Sequence, residues 1–249
     1  MLLPNMLTLI GVCIGLTSIR FALSGEFHLA IIAIIFAALI DGLDGRIARL
    51  IKGTSKVGKE LDSLTDMISF GVAPAFIMYF WKLNTFGRFG WLLCLVYVIC
   101  VALRLARFNI SSNQEPSWKD NFFEGVPSPA GGILVLTPLI ISLSGFDYIK
   151  INYDIIVPVF FIGTSFLLIS KFPTYSFKKI VIQRKATIFL LFTIVLFFGL
   201  LLIYTFNVIA ISSIIYLSLI PISFFHYQKM KKIHENDKIQ DEDDLEDVL

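Results

Sequence analysis

The chain is 249 residues long, 56% hydrophobic and only 16% charged, with a mean hydropathy of +0.79 and a formal net charge of +2. A soluble domain carries about a quarter charged residues. These values exclude a soluble globular protein, and no nucleic-acid partner is expected; the chain reads as an all-α, polytopic transmembrane helical bundle.

A span needs about 20 apolar residues. The first runs from about 6 to 23. The residues before it carry no basic n-region, so no cleavable signal peptide is expected. In Pro4-Asn5-Met6-Leu7-Thr8, Pro4 suits a helix start and Asn5 a cap; contact with a ligand is the alternative reading. Further spans fall at about 27–45, 63–82, 89–108, 127–145, 153–171, 186–204 and 207–226, eight in all. The last two meet near Asn207 as a tight hairpin. Cys13, Cys94 and Cys100 lie in apolar stretches and suggest no disulfide. Residues 1–228 form the membrane domain. Residues 229–249, with four basic and eight acidic side chains and no aromatic, read as a disordered cytoplasmic tail.

Eight spans put both termini on one side. That side collects 17 of the Lys and Arg residues, against four on the other (Arg20, Lys82, Arg88 and Lys150). The asymmetry places the termini in the cytoplasm and the protein in the cell (inner) membrane. The basic body suits anionic lipid headgroups.

Four aspartates break the apolar pattern. Asp41 and Asp44 are three apart at the end of the second span, on one helix face. Asp62 and Asp66 are four apart at the start of the third, again on one face. Carboxylates beside hydrocarbon are expensive and need a shared reason. Converging without cations, they would repel. Two divalent ions solve this, and an oxygen-only ligand set favours Mg²⁺ or Mn²⁺ over zinc. Such a pair suits displacement at phosphorus. Gly42 and Gly45 thin the face, so that a bulky ligand can approach the backbone. Helix caps with salt bridges to Arg46, Arg49 and nearby lysines are the structural alternative.

The run Asp41-Gly42-Leu43-Asp44-Gly45-Arg46-Ile47-Ala48-Arg49, then eight residues, then Gly58-x-x-x-Asp62-x-x-x-Asp66, resembles the signature of the CDP-alcohol phosphatidyltransferases. The resemblance implies a six-helix catalytic core, here followed by a C-terminal hairpin. It implies that Asp41, Asp44, Asp62 and Asp66 hold two metal ions and that Asp66 also serves as general base. It further implies contact of Gly45, Arg49 and Ser55 with the CDP moiety, joined by Asn5 and Thr8 of the opening segment, and a homodimer.

Three later segments bear on the acceptor. Arg104 and Arg107 share a face, and Asn109 follows. Arginine suits two-pronged recognition of carboxylate or phosphate; an ordinary basic flank is the other reading. Residues 123–132, around Pro127-Ser128-Pro129, read chiefly as a packing motif of small residues. Lys171 and Lys178 suit either phosphate or a basic flank. Together these segments are similar to the serine-accepting members of the family, in their membrane-embedded bacterial and archaeal form. The resemblance runs over roughly residues 4–180 and implies an enzyme that transfers phosphatidyl from CDP-diacylglycerol to L-serine. Arg104, Arg107 and Asn109 are then serine-binding candidates. Glycerol 3-phosphate, inositol phosphate or choline are alternative acceptors. A divalent-cation transporter is the alternative from another class.

Overall fold

The computed structural model describes residues 2–50, 56–111, 122–145, 151–175 and 184–246. Helices dominate: α1 (Leu2–Leu23), α2 (Phe27–Leu50), α3 (Lys56–Asp66), α4 (Ala73–Trp81), α5 (Arg88–Ser111), α6 (Ser128–Leu143), α7 (Tyr153–Ile169), α8 (Arg184–Ile203) and α9 (Thr205–Glu246). Long runs of Leu, Ile and Phe suit helices in lipid, because a helix pairs each backbone group inside its own segment. Among the described residues, five stretches are long and apolar enough to cross a membrane: Asn5–Leu23, Phe27–Ile47, Val57–Trp81, Arg88–Ile110 and Thr205–Lys231. The apolar parts of α6, α7 and α8 are shorter. The chain is an integral membrane protein, and its eight apolar segments fall where hydropathy placed them.

The third span is not one regular helix. A π-helical turn, Met67–Val72, joins α3 to α4 directly after Asp66. Neighbouring helices pack closely on it. The Tyr97 hydroxyl on α5 donates to the Phe70 carbonyl at 2.7 Å. Tyr97 and Phe70 are fully buried, and the Tyr97 ring meets Phe161 of α7 edge-on at 5.6 Å. Helix α1 docks on the other side through Gly11 and Gly15. A Cβ on Gly11 would lie 3.2 Å from Thr65 Cγ2, and one on Gly15 would lie 2.6 Å from Ser69 Oγ. Small residues four apart bring helix backbones together in this way. Ser69 Oγ then donates to the Gly11 carbonyl at 3.2 Å.

Two three-residue strands, β1 (Phe122–Glu124) and β2 (Pro173–Tyr175), form an antiparallel ribbon, with β2 beside α9. Gly125 follows β1 with φ +76°, and a Cβ there would lie 2.8 Å from the Ser170 carbonyl oxygen. Only glycine fits that corner. The α8–α9 junction falls at Tyr204, three residues before the expected Asn207. Helix α8 packs on α9 and leaves Ile188, Phe189, Phe192 and Val195 well exposed, as lipid-facing side chains would be. Helix α9 continues to Glu246, into the tail that composition alone reads as disordered. After Pro221 it meets no Gly or Pro, and an established helix extends without a new nucleus.

Candidate active site

Helix α2 and the α3–π segment present their acidic faces to one another. Carboxylate oxygens of Asp41, Asp44 and Asp62 all lie within 4.8 Å of one another. Asp66 stands next to them, within hydrogen-bonding reach of Asp41 and Ser128. Asp44 and Asp66 are buried, and Asp41 and Asp62 are partly exposed. The four residues therefore converge, with Asp66 the deepest of the α3 pair.

Neighbouring side chains and backbone hold these groups in place. Thr8 Oγ1 on α1 donates to Asp44 Oδ2 at 2.8 Å, and the Gly45 backbone N–H also serves Asp44. Thr65 Oγ1, one residue before Asp66, reaches the Thr8 carbonyl at 3.4 Å. Thr8, a candidate CDP contact, thus sits in the frame around Asp44. Among the described residues, no cationic side chain forms an ion pair with any of the four aspartates. Arg46 is exposed, and the Arg49 side chain and all of Ser55 lie outside the described residues.

The cluster fits divalent metal. Its donors are carboxylate oxygens, with no His or Cys among them. Asp66 Oδ1 is buried with no hydrogen-bond partner among the described residues. An orphaned buried carboxylate oxygen is costly unless a ligand or ion meets it. Gly42 and Gly45 are exposed, and a Cβ on either would meet nothing within 4 Å. Packing does not require glycine at these two positions. They leave open space above the carboxylates.

Three candidates on α5 divide. Arg104 faces the site: it donates to Ser128 Oγ at the start of α6 and lies within electrostatic range of Asp66 and Asp41. Its guanidinium also stands 5.7 Å from the Phe108 ring centroid. Arg107 Nη1 donates to the Ile169 carbonyl at 2.7 Å, closing the end of α7. Asn109 docks α3 on α5: its Nδ2 donates to Ser63 Oγ at 2.9 Å, and its carbonyl accepts from Lys59 Nζ at 3.2 Å. Asn5 lies within the first turn of α1, which starts at Leu2, and so is not its cap.

The CDP-alcohol phosphatidyltransferase family profile matches residues 1–160. The chain belongs to the CDP-alcohol phosphatidyltransferase family. It is 43% identical over 175 residues to a CDP-diacylglycerol–serine O-phosphatidyltransferase of Mycobacterium leprae, covering 69% of this chain and 57% of that protein. Proteins of the same name from Helicobacter pylori and Bacillus subtilis are 37% and 33% identical. The first match covers 79% of this chain and 81% of the relative, the second 71% and 92%. Against the mycobacterial protein, the match spans little more than half of that relative's length.

The family signature therefore lies on two facing helices. Its last aspartate is followed at once by the π turn, and such irregular turns concentrate at functional sites. In the sequence Ser128 reads as part of a packing motif, and Tyr97 and Tyr216 lie in apolar stretches with no signal of their own. The Gly11-x-x-x-Gly15 spacing was a readable signal of close helix contact.

Proposed function

We propose that this phosphatidyltransferase moves the phosphatidyl group of CDP-diacylglycerol to L-serine, giving phosphatidylserine and CMP, at the cytoplasmic edge of the cell membrane. The observation that carries this reading is the convergence of Asp41, Asp44, Asp62 and Asp66 at neighbouring helix ends. These four residues would hold two divalent cations, Mg²⁺ or Mn²⁺. Bound there, the cations would supply charge neutralisation for the pyrophosphate and the departing CMP.

The chain's own groups do the rest. Asp66, buried and with one oxygen unpartnered among the described residues, takes the proton of the acceptor hydroxyl. The serine oxygen bonds to the phosphorus carrying diacylglycerol, and the bond from that phosphorus to the CMP oxygen breaks. Gly45 and Gly42 leave room for the nucleotide, with Arg49, Asn5 and Ser55 as further contacts. Arg104 meets the serine carboxylate. Thr8 orients Asp44. The names of the relatives support serine as acceptor. Lys and Arg placement supports the cytoplasmic side, residues 229–249 serve as a tail, and the working unit is a homodimer.

The test is purified protein in detergent with CDP-diacylglycerol, Mn²⁺ or Mg²⁺, and L-serine. Release of CMP coupled to phosphatidylserine is expected. Asp66→Asn should fold normally and release none. Absence of CMP with serine, or near-normal turnover by Asp66→Asn, contradicts the reading.

A further inference from the structure

The family match ends at residue 160, yet α9 also sends a side chain toward the site. Tyr216 packs against the buried cluster of Val126, Leu134 and Ile220, which flanks the start of α6, the helix end where Ser128 receives Arg104. Its hydroxyl oxygen is buried and has no hydrogen-bond partner among the described residues. It lies beside Thr174 on β2 and within electrostatic range of Arg104. Thr174 Oγ1 donates to the Gly125 carbonyl at 2.7 Å, and it approaches the phenol without a hydrogen bond of normal geometry. A phenol hydroxyl shut away from water usually finds a partner. Here that hydroxyl stands near the Arg104 guanidinium, which faces Asp66 and Asp41.

We propose that Tyr216 is a specificity-determining residue, whose hydroxyl donates a hydrogen bond to the anionic group of the alcohol acceptor alongside Arg104. This rests on the phosphatidyl-transfer reading above. Arg104 supplies charge, and the phenol supplies a directed donor that a purely basic flank lacks. The eighth span is then a wall of the acceptor pocket. The π-turn side of the site carries the chemistry, and the α6–ribbon–α9 side reads the acceptor.

Wild-type protein is first assayed for CMP release with L-serine, glycerol 3-phosphate, inositol phosphate and choline. Silence with all four sinks the transfer reading and the inference together. Turnover with choline alone, which carries no anion, overturns the inference and leaves the reaction class standing. With an anionic acceptor, Tyr216→Phe keeps the ring packing and removes only the donor. It is expected to raise the acceptor KM about tenfold, the usual effect of losing one hydrogen bond to a charged group. The KM for CDP-diacylglycerol and the melting temperature should stay at wild-type values. An unchanged acceptor KM overturns the proposal. So does a variant in which both KM values rise together with a lowered melting temperature, because that pattern marks a structural role.

Discussion

Gly45→Ala separates a ligand-facing glycine from a packing one. Gly45 is exposed on α2, and a Cβ there meets no atom within 4 Å. Alanine in an exposed helix interior is favoured over glycine by about 1 kcal/mol. The substitution should therefore leave the melting temperature unchanged or raise it by a few degrees. If the CDP moiety approaches this backbone, the added methyl group collides with it. Overpacking of that kind costs about 1–3 kcal/mol, which converts to a rise of about 5- to 150-fold in the KM for CDP-diacylglycerol. The assay is CMP release at varied CDP-diacylglycerol, paired with thermal unfolding in the same detergent. Raised stability with weakened substrate use is the expected signature. A KM within about twofold of wild type would refute the reasoning, and a lowered melting temperature would show that the glycine serves packing after all.

Thr8→Val removes the 2.8 Å hydrogen bond to Asp44. Bonds to charged groups are worth about 1.5–3 kcal/mol, so turnover should fall at least about tenfold, with more Mn²⁺ needed for half-maximal rate; Thr8→Ser should restore both. An unaltered metal dependence in Thr8→Val would remove Thr8 from the frame around Asp44. Gly15→Ala places a Cβ 2.6 Å from Ser69 Oγ and 3.1 Å from Ser69 Cα, pushing α1 off the π turn. A loss of about 1–3 kcal/mol is expected, read as a lower melting temperature. Gly163→Ala, with nothing within 4 Å, should show no such loss.

Much of this molecule was legible because hydrocarbon is an unforgiving solvent. Apolar runs have to become helices, and four carboxylates at the ends of two such runs have to find a common explanation. What escaped was set by contacts distant in sequence. The π turn after Asp66 has no periodicity of its own; it is supported by Tyr97, Gly15 and Gly132, from three different helices. The ribbon strands are three residues each, too short to show alternation. Arg107 and Arg104 look alike in the sequence, three residues apart, yet one closes the end of α7 and the other faces Asp66. Tyr216 lies in an ordinary apolar stretch, and only the packing of α9 on α6 and β2 brings it to Arg104.

The central claim is that the aspartates of α2 and α3 hold a pair of divalent cations. Anomalous diffraction at the manganese edge, from crystals of the protein grown with Mn²⁺, addresses it directly. Two peaks bridged by Asp41, Asp44, Asp62 and Asp66 are predicted, and both should vanish in EDTA together with CMP release. Mn²⁺ bound elsewhere, or full activity in EDTA with no density between those carboxylates, would contradict the account.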